Sequence, residues 1–316
     1  MSAPLRSDRS KGDSSVPDSD FWSRHVFVLL SSDAPYRGVH ADMVKRLRKE
    51  GFPPVAARAL HADPELIDDL YADLIAGQWQ TWRYRLVDAV LALGPAMALI
   101  CRYEGDTGQQ PERGAHDILA LRKGYQHPEQ AEHGTLRRDF GAVNSIVGLM
   151  HSSDGPAESE REAAIFGLTA ADAAADPEAA AAEIDYLCQV VAPHTPEHRD
   201  FDQVLAAVRT RVLASLWEDL PADVRRRVRE RFPEPAGLGE VSAGAELAAL
   251  LAGHAPEPLP AFIACEFEPS AAGSMRMSVA EQALRTTGVV LDPWERVVLE
   301  SSLHFQPLRA SRQAVR

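Results

Sequence analysis

Short apolar runs alternate with stretches of helical periodicity through the first half of the chain. Runs of strand length cover residues 26–30, 55–59, 96–103 and 146–150, and apolar positions recur with helical spacing over residues 41–49, 64–74 and 83–91. Continuous short apolar runs favour strands, whereas apolar residues three or four positions apart favour amphipathic helices. The pattern therefore predicts four strands interleaved with helices, as an α/β sandwich with helices over one face of the sheet. Periodicity alone leaves the strand directions open.

The second half of the chain has a mainly helical pattern. An alanine-rich, acidic segment follows Phe166, and helical spacing continues over residues 201–231, 278–287 and 293–303. Asp292 is suited to cap the last of these helices, with Pro293 in its first turn. We therefore expect a helical region after the mixed one.

Composition divides the chain into three predicted regions. Residues 1–22 are polar and rich in serine, aspartate and arginine, which is typical of a disordered tail. Residues 23–168 carry the mixed pattern and residues 169–316 the helical one, which predicts a division into two units near residues 167–176. A helix beginning at Pro177 could instead pack against the sheet and join the two, because tertiary contacts stabilise most helices.

Charge and hydropathy exclude several classes of partner. The net charge of −13 argues against general affinity for nucleic acid or anionic lipid, since both would be repelled. No apolar run approaches the ~20 residues of a membrane span, and the polar start lacks the apolar segment of a signal peptide. We therefore expect a cytoplasmic protein without membrane contact. Cys101, Cys188 and Cys265 lie far apart in apolar surroundings, which predicts buried free thiols.

His151 is the most prominent candidate for chemistry. It follows the apolar run at residues 146–150 and precedes a polar turn at residues 152–154 and a helical pattern at residues 158–166. A side chain at the end of a strand is held by the sheet yet reaches solvent, which suits a histidine nucleophile. A structural role is the commoner one for a single histidine, so the neighbouring segments decide.

Two other groups of side chains receive a structural interpretation. Residues 225–231 contain five arginines, but acidic residues nearby are able to pair with them, which favours a solvated helix face. His194 and His198 stand four residues apart, but two prolines interrupt the helix that would align them. No metal site is predicted there.

The segments around His151 resemble the nucleoside diphosphate kinase family. That family carries a histidine in a pattern close to N-x-x-H-G-S-D, a G-T-[IL]-R-x-D-F segment before it, and an opening strand followed by an acidic turn and R-G. The counterparts here are residues 151–154, residues 134–140, and residues 25–30 with Asp33 and Arg37. Residues 49–52, 70–74 and 94–99 resemble three further family segments, so that six segments agree in order and approximate spacing over residues 24–168. The resemblance implies an α+β, ferredoxin-like domain with a four-stranded antiparallel sheet.

The resemblance also implies a phosphohistidine mechanism. His151 would take the γ-phosphate of a nucleoside triphosphate and pass it to a nucleoside diphosphate, with Mg²⁺ bound to the nucleotide. Glu162 would hold the other ring nitrogen with support from Ser153. Arg137 would clamp phosphate oxygens, and Tyr71 would stand at the edge of the nucleotide site. Such kinases are usually homo-oligomers, with the loop at residues 124–142 at subunit contacts in the trimer-based forms.

Several family positions carry other residues here. The family's lysine in the opening turn is Ser31, its second phosphate arginine is Ala120, its threonine is Gln126 and its asparagine is Gly148. Near Ala120, Arg122 and Lys123 could substitute. Each lost contact to a charged oxygen is worth ~1.5–3 kcal/mol, so three losses would slow turnover by about 10³–10⁶.

Three functions therefore stay open. The first is a divergent kinase that transfers phosphate through His151. The second is a catalytically impaired module that binds a nucleotide or a partner, with output through the helical C-terminal half. The third is a phosphocarrier with another acceptor. Trp79, Trp82 and Tyr84 fall near the family's base-stacking segment, although core packing explains them equally well.

Overall fold

A four-stranded antiparallel sheet organises the first half of the chain. The computed structural model describes residues 19–72, 81–105, 114–173, 177–271, 273 and 275–310. The strands are β1 His25–Leu30, β2 Pro54–Leu60, β3 Ala96–Arg102 and β4 Met150–Ser152, in the order β2-β3-β1-β4. All three neighbouring pairs are antiparallel, which confirms the α+β, ferredoxin-like class implied by the resemblance. β2 and β4 lie at the two edges.

Eight helices in the described residues up to 165 accompany this sheet. They are α1 Ser19–Arg24, α2 Asp33–Tyr36, α3 His40–Lys49, α4 Pro64–Leu70, α5 Thr81–Leu91, α6 Ala115–Lys123, α7 Leu136–Asp139 and α8 Pro156–Ile165. α4 begins where the Asp63 carboxylate accepts a hydrogen bond from the N–H of Leu66 at 2.9 Å. Pro64 occupies the first turn, where its missing N–H costs no hydrogen bond.

The side chains of β1 divide the core of this half into two layers. Val26, Val28 and Leu30 pack with side chains of α3, α6 and α7, whereas Phe27 and Leu29 pack with those of α1, α4 and α8. The expectation that helices cover one face of the sheet is therefore wrong. An uninterrupted apolar strand is typical of a sheet buried on both faces.

The fourth strand lies later in the chain than the apolar run predicts. The run at residues 146–150 indicates a strand, but β4 spans Met150–Ser152 and residues 146–149 form a loop. His151 therefore stands inside β4, opposite Leu29 of β1, rather than at the point where a strand meets a loop.

Side-chain hydrogen bonds explain why this apolar run is a loop. Leu149 has a φ of +68°, and its N–H donates to Asp33 Oδ2 at 2.9 Å instead of to a neighbouring strand. The N–H groups of Ile146 and Val147 donate to Asn144 Oδ1. Buried polar side chains thus satisfy backbone donors that a strand would pair in its ladder.

Part of the predicted tail belongs to the fold. The tail was expected over residues 1–22, of which residues 1–18 lie outside the described residues. From Ser19 the chain forms α1, and Trp22 is 2% exposed within the core layer that contains Phe27 and Leu29. The boundary is corrected because an aromatic side chain supplies enough apolar surface to anchor a short helix.

The second half of the chain is mainly helical, as predicted. Its helices are α9 Pro177–Val191, α10 Phe201–Leu216, α11 Ala222–Arg231, α12 Ala243–Leu250, α13 Leu259–Ala264, α14 Met277–Arg285 and α15 Pro293–Ser302. Asp292 caps α15, accepting a hydrogen bond from the N–H of Glu295 at 2.8 Å. The apolar core of these helices also includes Val90 and Val147 from the first half.

α9 packs against the sheet. Its buried residues Ala180, Ile184 and Cys188 belong to the core layer that contains Val26 and Val28. The ring Nε2 of His40 lies 2.8 Å from the carbonyl oxygen of Cys188. We therefore propose that the kinase-like unit extends through α9, and does not end at residue 168.

All three cysteines are buried and free. Among the described residues, no helix combines the length and apolar character needed to cross a membrane.

The contribution of α9 is testable at Ile184. Ile184→Ala should lower the free energy of unfolding by about 2–5 kcal/mol, because removing a buried side chain leaves a cavity. Glu183→Ala changes the exposed neighbouring residue and should alter stability by less than about 0.5 kcal/mol. Urea denaturation of both variants measures this. Equal midpoints for the two variants would show that α9 adds nothing to the core.

Candidate active site

His151 and Glu162 form the central contact of the site. The ring Nε2 of His151 lies 2.7 Å from Glu162 Oε2, and the same oxygen accepts a hydrogen bond from Ser153 Oγ at 2.6 Å. β4 carries the histidine, Ser153 follows that strand, and α8 carries the glutamate. The structure thus brings together the three residues that the resemblance nominates as nucleophile and orienting groups.

Glu162 is held in its ionised form. Burial alone would raise the pKa of Glu162. The hydrogen bonds from His151 and Ser153 outweigh this effect, so the pKa lies below its ordinary value. A carboxylate beside Nε2 favours the tautomer that carries its proton on that nitrogen. Nδ1 of His151 is then the unprotonated nitrogen, and no described group hydrogen-bonds to it.

A small cleft opens beside the His151 ring. Its described part has a volume of about 110 Å³ and is lined mainly by apolar side chains, together with Ser31, Tyr71, Arg137 and His151. Tyr71, which the resemblance places at the edge of a nucleotide site, thus lines the same cleft as His151. Whole-ligand pockets usually enclose about 300–1,000 Å³, so this part of the cleft suits a phosphoryl group rather than a complete nucleotide.

Arg137 lies between this cleft and a larger cavity. Its Nη2 donates to the carbonyl oxygen of Met150, next to His151, at 2.9 Å. Its Nε is buried, and none of the described residues forms a hydrogen bond with it. Burial, which penalises the charged form, lowers the pKa of Arg137 to about 10, so the guanidinium stays charged at neutral pH.

The larger cavity lies beyond Arg137, at the end of α6. It has a volume of about 810 Å³, and its lining includes Ala120, Lys123, Gln126 and Arg137. This volume falls within the range of small-molecule sites. Ala120 and Arg137, at positions that the resemblance assigns to phosphate binding, and Gln126, which stands in place of a family threonine, therefore line one cavity.

Arg122 does not reach the site. Its Nε lies 3.3 Å from Glu50 Oε2, and its side chain is 56% exposed. The prediction that Arg122 binds phosphate is corrected, because the ion pair with Glu50 directs the guanidinium elsewhere. Lys123 lines the larger cavity instead, and its Nζ donates to Ser152 Oγ at 2.7 Å. The signal was present in the sequence, since Lys123 is three residues after Ala120 and hence on the same helix face.

A buried carboxylate supports the strand that carries His151. Asp33 accepts hydrogen bonds from Ser31 Oγ at 2.6 Å and from the N–H of Leu149 at 2.9 Å. Burial raises the pKa of Asp33, although these bonds and Arg37 oppose the rise. Sequence reasoning placed Asp33 in the family pattern but did not predict this role, because its partner is distant in sequence.

Two other groups of candidate residues remain. Trp79 and the side chains of Trp82 and Tyr84 lie outside what the structure describes. The arginines at residues 225–231 form ion pairs that include Arg226 with Glu230 and Arg227 with Asp223, in agreement with a solvated face.

Comparison with known proteins extends the resemblance. A family model described as nucleoside diphosphate kinase matches residues 24–169. The nucleoside diphosphate kinase of Symbiobacterium thermophilum is 32% identical over 136 residues, which are 43% of this chain and 81% of that protein. The chain belongs to the nucleoside diphosphate kinase family. A Bacillus cereus nucleoside diphosphate kinase is 30% identical over 141 residues, or 45% of this chain and 86% of the relative.

Solved structures of nucleoside diphosphate kinases are also similar to part of the chain. A nucleoside-diphosphate kinase from Borrelia burgdorferi, described as a transition state mimic with bound vanadate and ADP, has a TM-score of 0.41 and 21% identity. That alignment covers 48% of this chain and 91% of the other. A nucleoside diphosphate kinase from Encephalitozoon cuniculi gives a TM-score of 0.38 at 20% identity, covering 46% and 88%.

Replacing Glu162 should change the tautomer of His151. Glu162→Gln should leave the neutral ring in a mixture of both tautomers, because an amide donates as well as accepts hydrogen bonds. The ¹⁵N chemical shifts of the His151 ring measure the change. Glu160→Gln, at an exposed position of the same helix, should leave the shifts unaltered. Identical ring shifts in the wild type and Glu162→Gln would contradict this assignment.

Proposed function

We propose that this protein transfers the γ-phosphate of a nucleoside triphosphate to a nucleoside diphosphate through a phosphohistidine at His151. The observation that carries the proposal is the contact of Glu162 with His151 Nε2, which leaves Nδ1 available as nucleophile. This contact lies within the part of the chain that the family model matches. Phosphoryl transfer depends mainly on such positioning and on charge stabilisation.

The proposed transfer has two matching steps. Nδ1 of His151 forms a bond to the γ-phosphorus, and the bond from that phosphorus to the β–γ bridging oxygen breaks, which releases the nucleoside diphosphate. The Nε2–H proton stays on the ring, and Glu162 stabilises the positive charge that develops there. A second nucleoside diphosphate then attacks the phosphorus, and the Nδ1–P bond breaks. One nucleophile serves both steps, which gives ping-pong kinetics.

Arg137 is the phosphate clamp in this proposal. Its guanidinium lies between the cleft of His151 and the larger cavity, and its Nε has no hydrogen-bond partner within the described part of the chain. Tyr71 would border the phosphates on the side of α4, because it lines the cleft with Arg137. A planar guanidinium suits two oxygens of one phosphate group.

Mg²⁺ fits this site as a companion of the nucleotide. No group of three potential ligands among the described His, Cys, Asp and Glu side chains is arranged to hold a metal ion. Both Asp33 and Glu162 are already engaged in hydrogen bonds. We infer that Mg²⁺ would arrive on the phosphate oxygens, where it neutralises part of their charge.

The hydrogen bonds of His151 favour transfer over the alternative of a binding module. A module that only binds nucleotide has no need of a carboxylate that fixes the tautomer of His151. The residues at Ser31, Ala120, Gln126 and Gly148 nevertheless differ from the family pattern. We therefore expect a slower kinase rather than an inactive one.

Labelling with γ-³²P-ATP tests the nucleophile. The wild type should acquire acid-labile, base-stable label, and a nucleoside diphosphate should remove it. His151→Ala should acquire none, because it removes the only nitrogen proposed to attack. His133→Ala, at an exposed histidine, is the matched control and should label like the wild type.

Each contrary result identifies a different function. Equal labelling of wild type and His151→Ala would end the proposal that His151 is the nucleophile. Label that forms on His151 but resists every nucleoside diphosphate would indicate a phosphocarrier with another acceptor. Nucleotide binding without any label would indicate the binding module.

We also propose that the protein is a homo-oligomer. Leu121, just before the loop at residues 124–142, and Tyr125, within it, are each 54% exposed, and the resemblance places this loop at subunit contacts. Exposed apolar side chains of this kind mark interaction surfaces when they cluster. Sedimentation velocity at micromolar concentration should show a species larger than the 34.5 kDa chain. A single monomeric species across that range would contradict the proposal.

A further inference from the structure

Lys123 and Arg137 are two neighbouring cations without an acidic partner. Among the described residues, neither forms an ion pair with a carboxylate, and burial lowers the pKa of both side chains. By contrast, the buried Arg309 in the second half of the chain forms ion pairs with three carboxylates, those of Asp202, Glu266 and Glu268. Both side chains are partly buried. Charges withdrawn from water are normally paired in proteins, so two neighbouring cations with no carboxylate partner among the described residues indicate a site for an anion.

The surroundings of the two cations form a built site. Lys123 and Arg137 line the cavity of about 810 Å³, and the buried Nε of Arg137 receives no hydrogen bond from and gives none to any residue that the structure describes. Gly124 has a φ of +91°, and a Cβ there would lie 2.7 Å from Thr135 Cβ. This close approach of residues 124 and 135 brings the loop back against the end of α6, so that both cations face one space.

The position of Lys123 links this cavity to the nucleophile. Its ammonium donates to Ser152 Oγ, and Ser152 directly follows His151 in β4. The two side chains point to opposite faces of the sheet, because neighbours alternate along a strand. β4 is an edge strand, however, so a ligand that passes its edge can meet groups from both faces.

We infer that Lys123, together with Arg137, binds the phosphate chain of a nucleoside di- or triphosphate, and so supplies a positive charge that Ser31 and Ala120 do not. The inference rests on the proposed function for the identity of the ligand. Lys123 is a phosphate-binding residue in this scheme, and His151 remains the nucleophile. The chain has only four lysines, and the described Lys45 and Lys49 are exposed.

The charge on Lys123 should depend on pH near the physiological range. Burial lowers the pKa of Lys123 to about 8, the nearby Arg137 lowers it as well, and Asp154 and Glu162 oppose them. Below that pH the ammonium is charged and attracts phosphate. Above that pH the side chain of Lys123 is a neutral amine in the unliganded protein, so the affinity for phosphate should fall as pH rises through 8.

Calorimetric titration of the full chain with ADP tests the inference. At pH 7, Lys123→Met should raise the dissociation constant at least about tenfold, because it removes a charge-assisted hydrogen bond. Lys123→Arg should restore most of the affinity and abolish its decline between pH 7 and 9. Lys49→Met, at an exposed lysine of α3, is the matched control and should bind ADP like the wild type.

A measurement on the unmodified chain covers the case in which Lys123→Met fails to fold. With ¹³Cε-labelled lysine, one NMR signal should titrate near pH 8, and ADP should move its titration to higher pH. A titration that ADP leaves unchanged would overturn the inference, as would equal ADP affinities for wild type and Lys123→Met. If Lys123 has no effect on ADP binding but His151 still acquires label from γ-³²P-ATP, the inference about Lys123 is refuted and the proposed transfer is supported. Conversely, Lys123-dependent ADP binding in a chain that never labels at His151 would support the phosphate site and refute the transfer.

Discussion

The buried carboxylate of Asp33 is the contact on which the geometry of the site depends. It accepts hydrogen bonds from Ser31 Oγ, in the turn after β1, and from the N–H of Leu149, just before β4. Leaving a buried carboxylate unpaired would cost several kcal/mol, so the two segments are held together. Leu149 gives up a strand hydrogen bond and adopts a φ of +68°, and the ladder with β1 starts only at Met150. That register pairs His151 with Leu29, whose face of the sheet carries Glu162.

The C-terminal helices hold the same loop from outside. Asn144 Nδ2 donates to Ser301 Oγ at 2.8 Å, and the N–H of Leu308 donates to the carbonyl oxygen of Val143 at 2.7 Å. Asn144 Oδ1 in turn accepts from the loop that borders the His151 cleft. A change in the position of α15 would therefore alter the position of that loop, because the buried side-chain amide of Asn144 bonds to both. Such contacts argue that the helical half supports the site directly, and they do not fit two halves that move independently.

The sequence predicted the elements far better than it predicted the contacts between them. β1, β2 and β3 follow from their apolar runs, and α15 follows from its cap at Asp292, because these signals are local. The fourth strand was misplaced because Asp33 and Asn144 accept hydrogen bonds from the backbone of residues 146–149, and hydrophobic periodicity does not reveal such contacts. Arg122 and Lys123 illustrate the same limit. Helical spacing places Lys123 on the same face as Ala120, but the ion pair that holds Arg122 away from the cavity depends on Glu50, which is distant in sequence.

Electrostatics explains how the site could tolerate its altered residues. A transferring phosphoryl group requires positive charge at its oxygens and imposes little else on the protein. Ser31, where the family has a lysine, lies in the turn after β1, whereas Lys123 lies at the end of α6. Cations at these two positions would therefore contact different oxygens of one phosphate chain. Burial strengthens an interaction with Lys123 by lowering the local dielectric, but it also makes the ammonium easier to deprotonate. A lysine in the opening turn would stay charged at neutral pH, whereas the charge of Lys123 depends on pH. Bound phosphate favours the charged form of Lys123 and so raises its pKa.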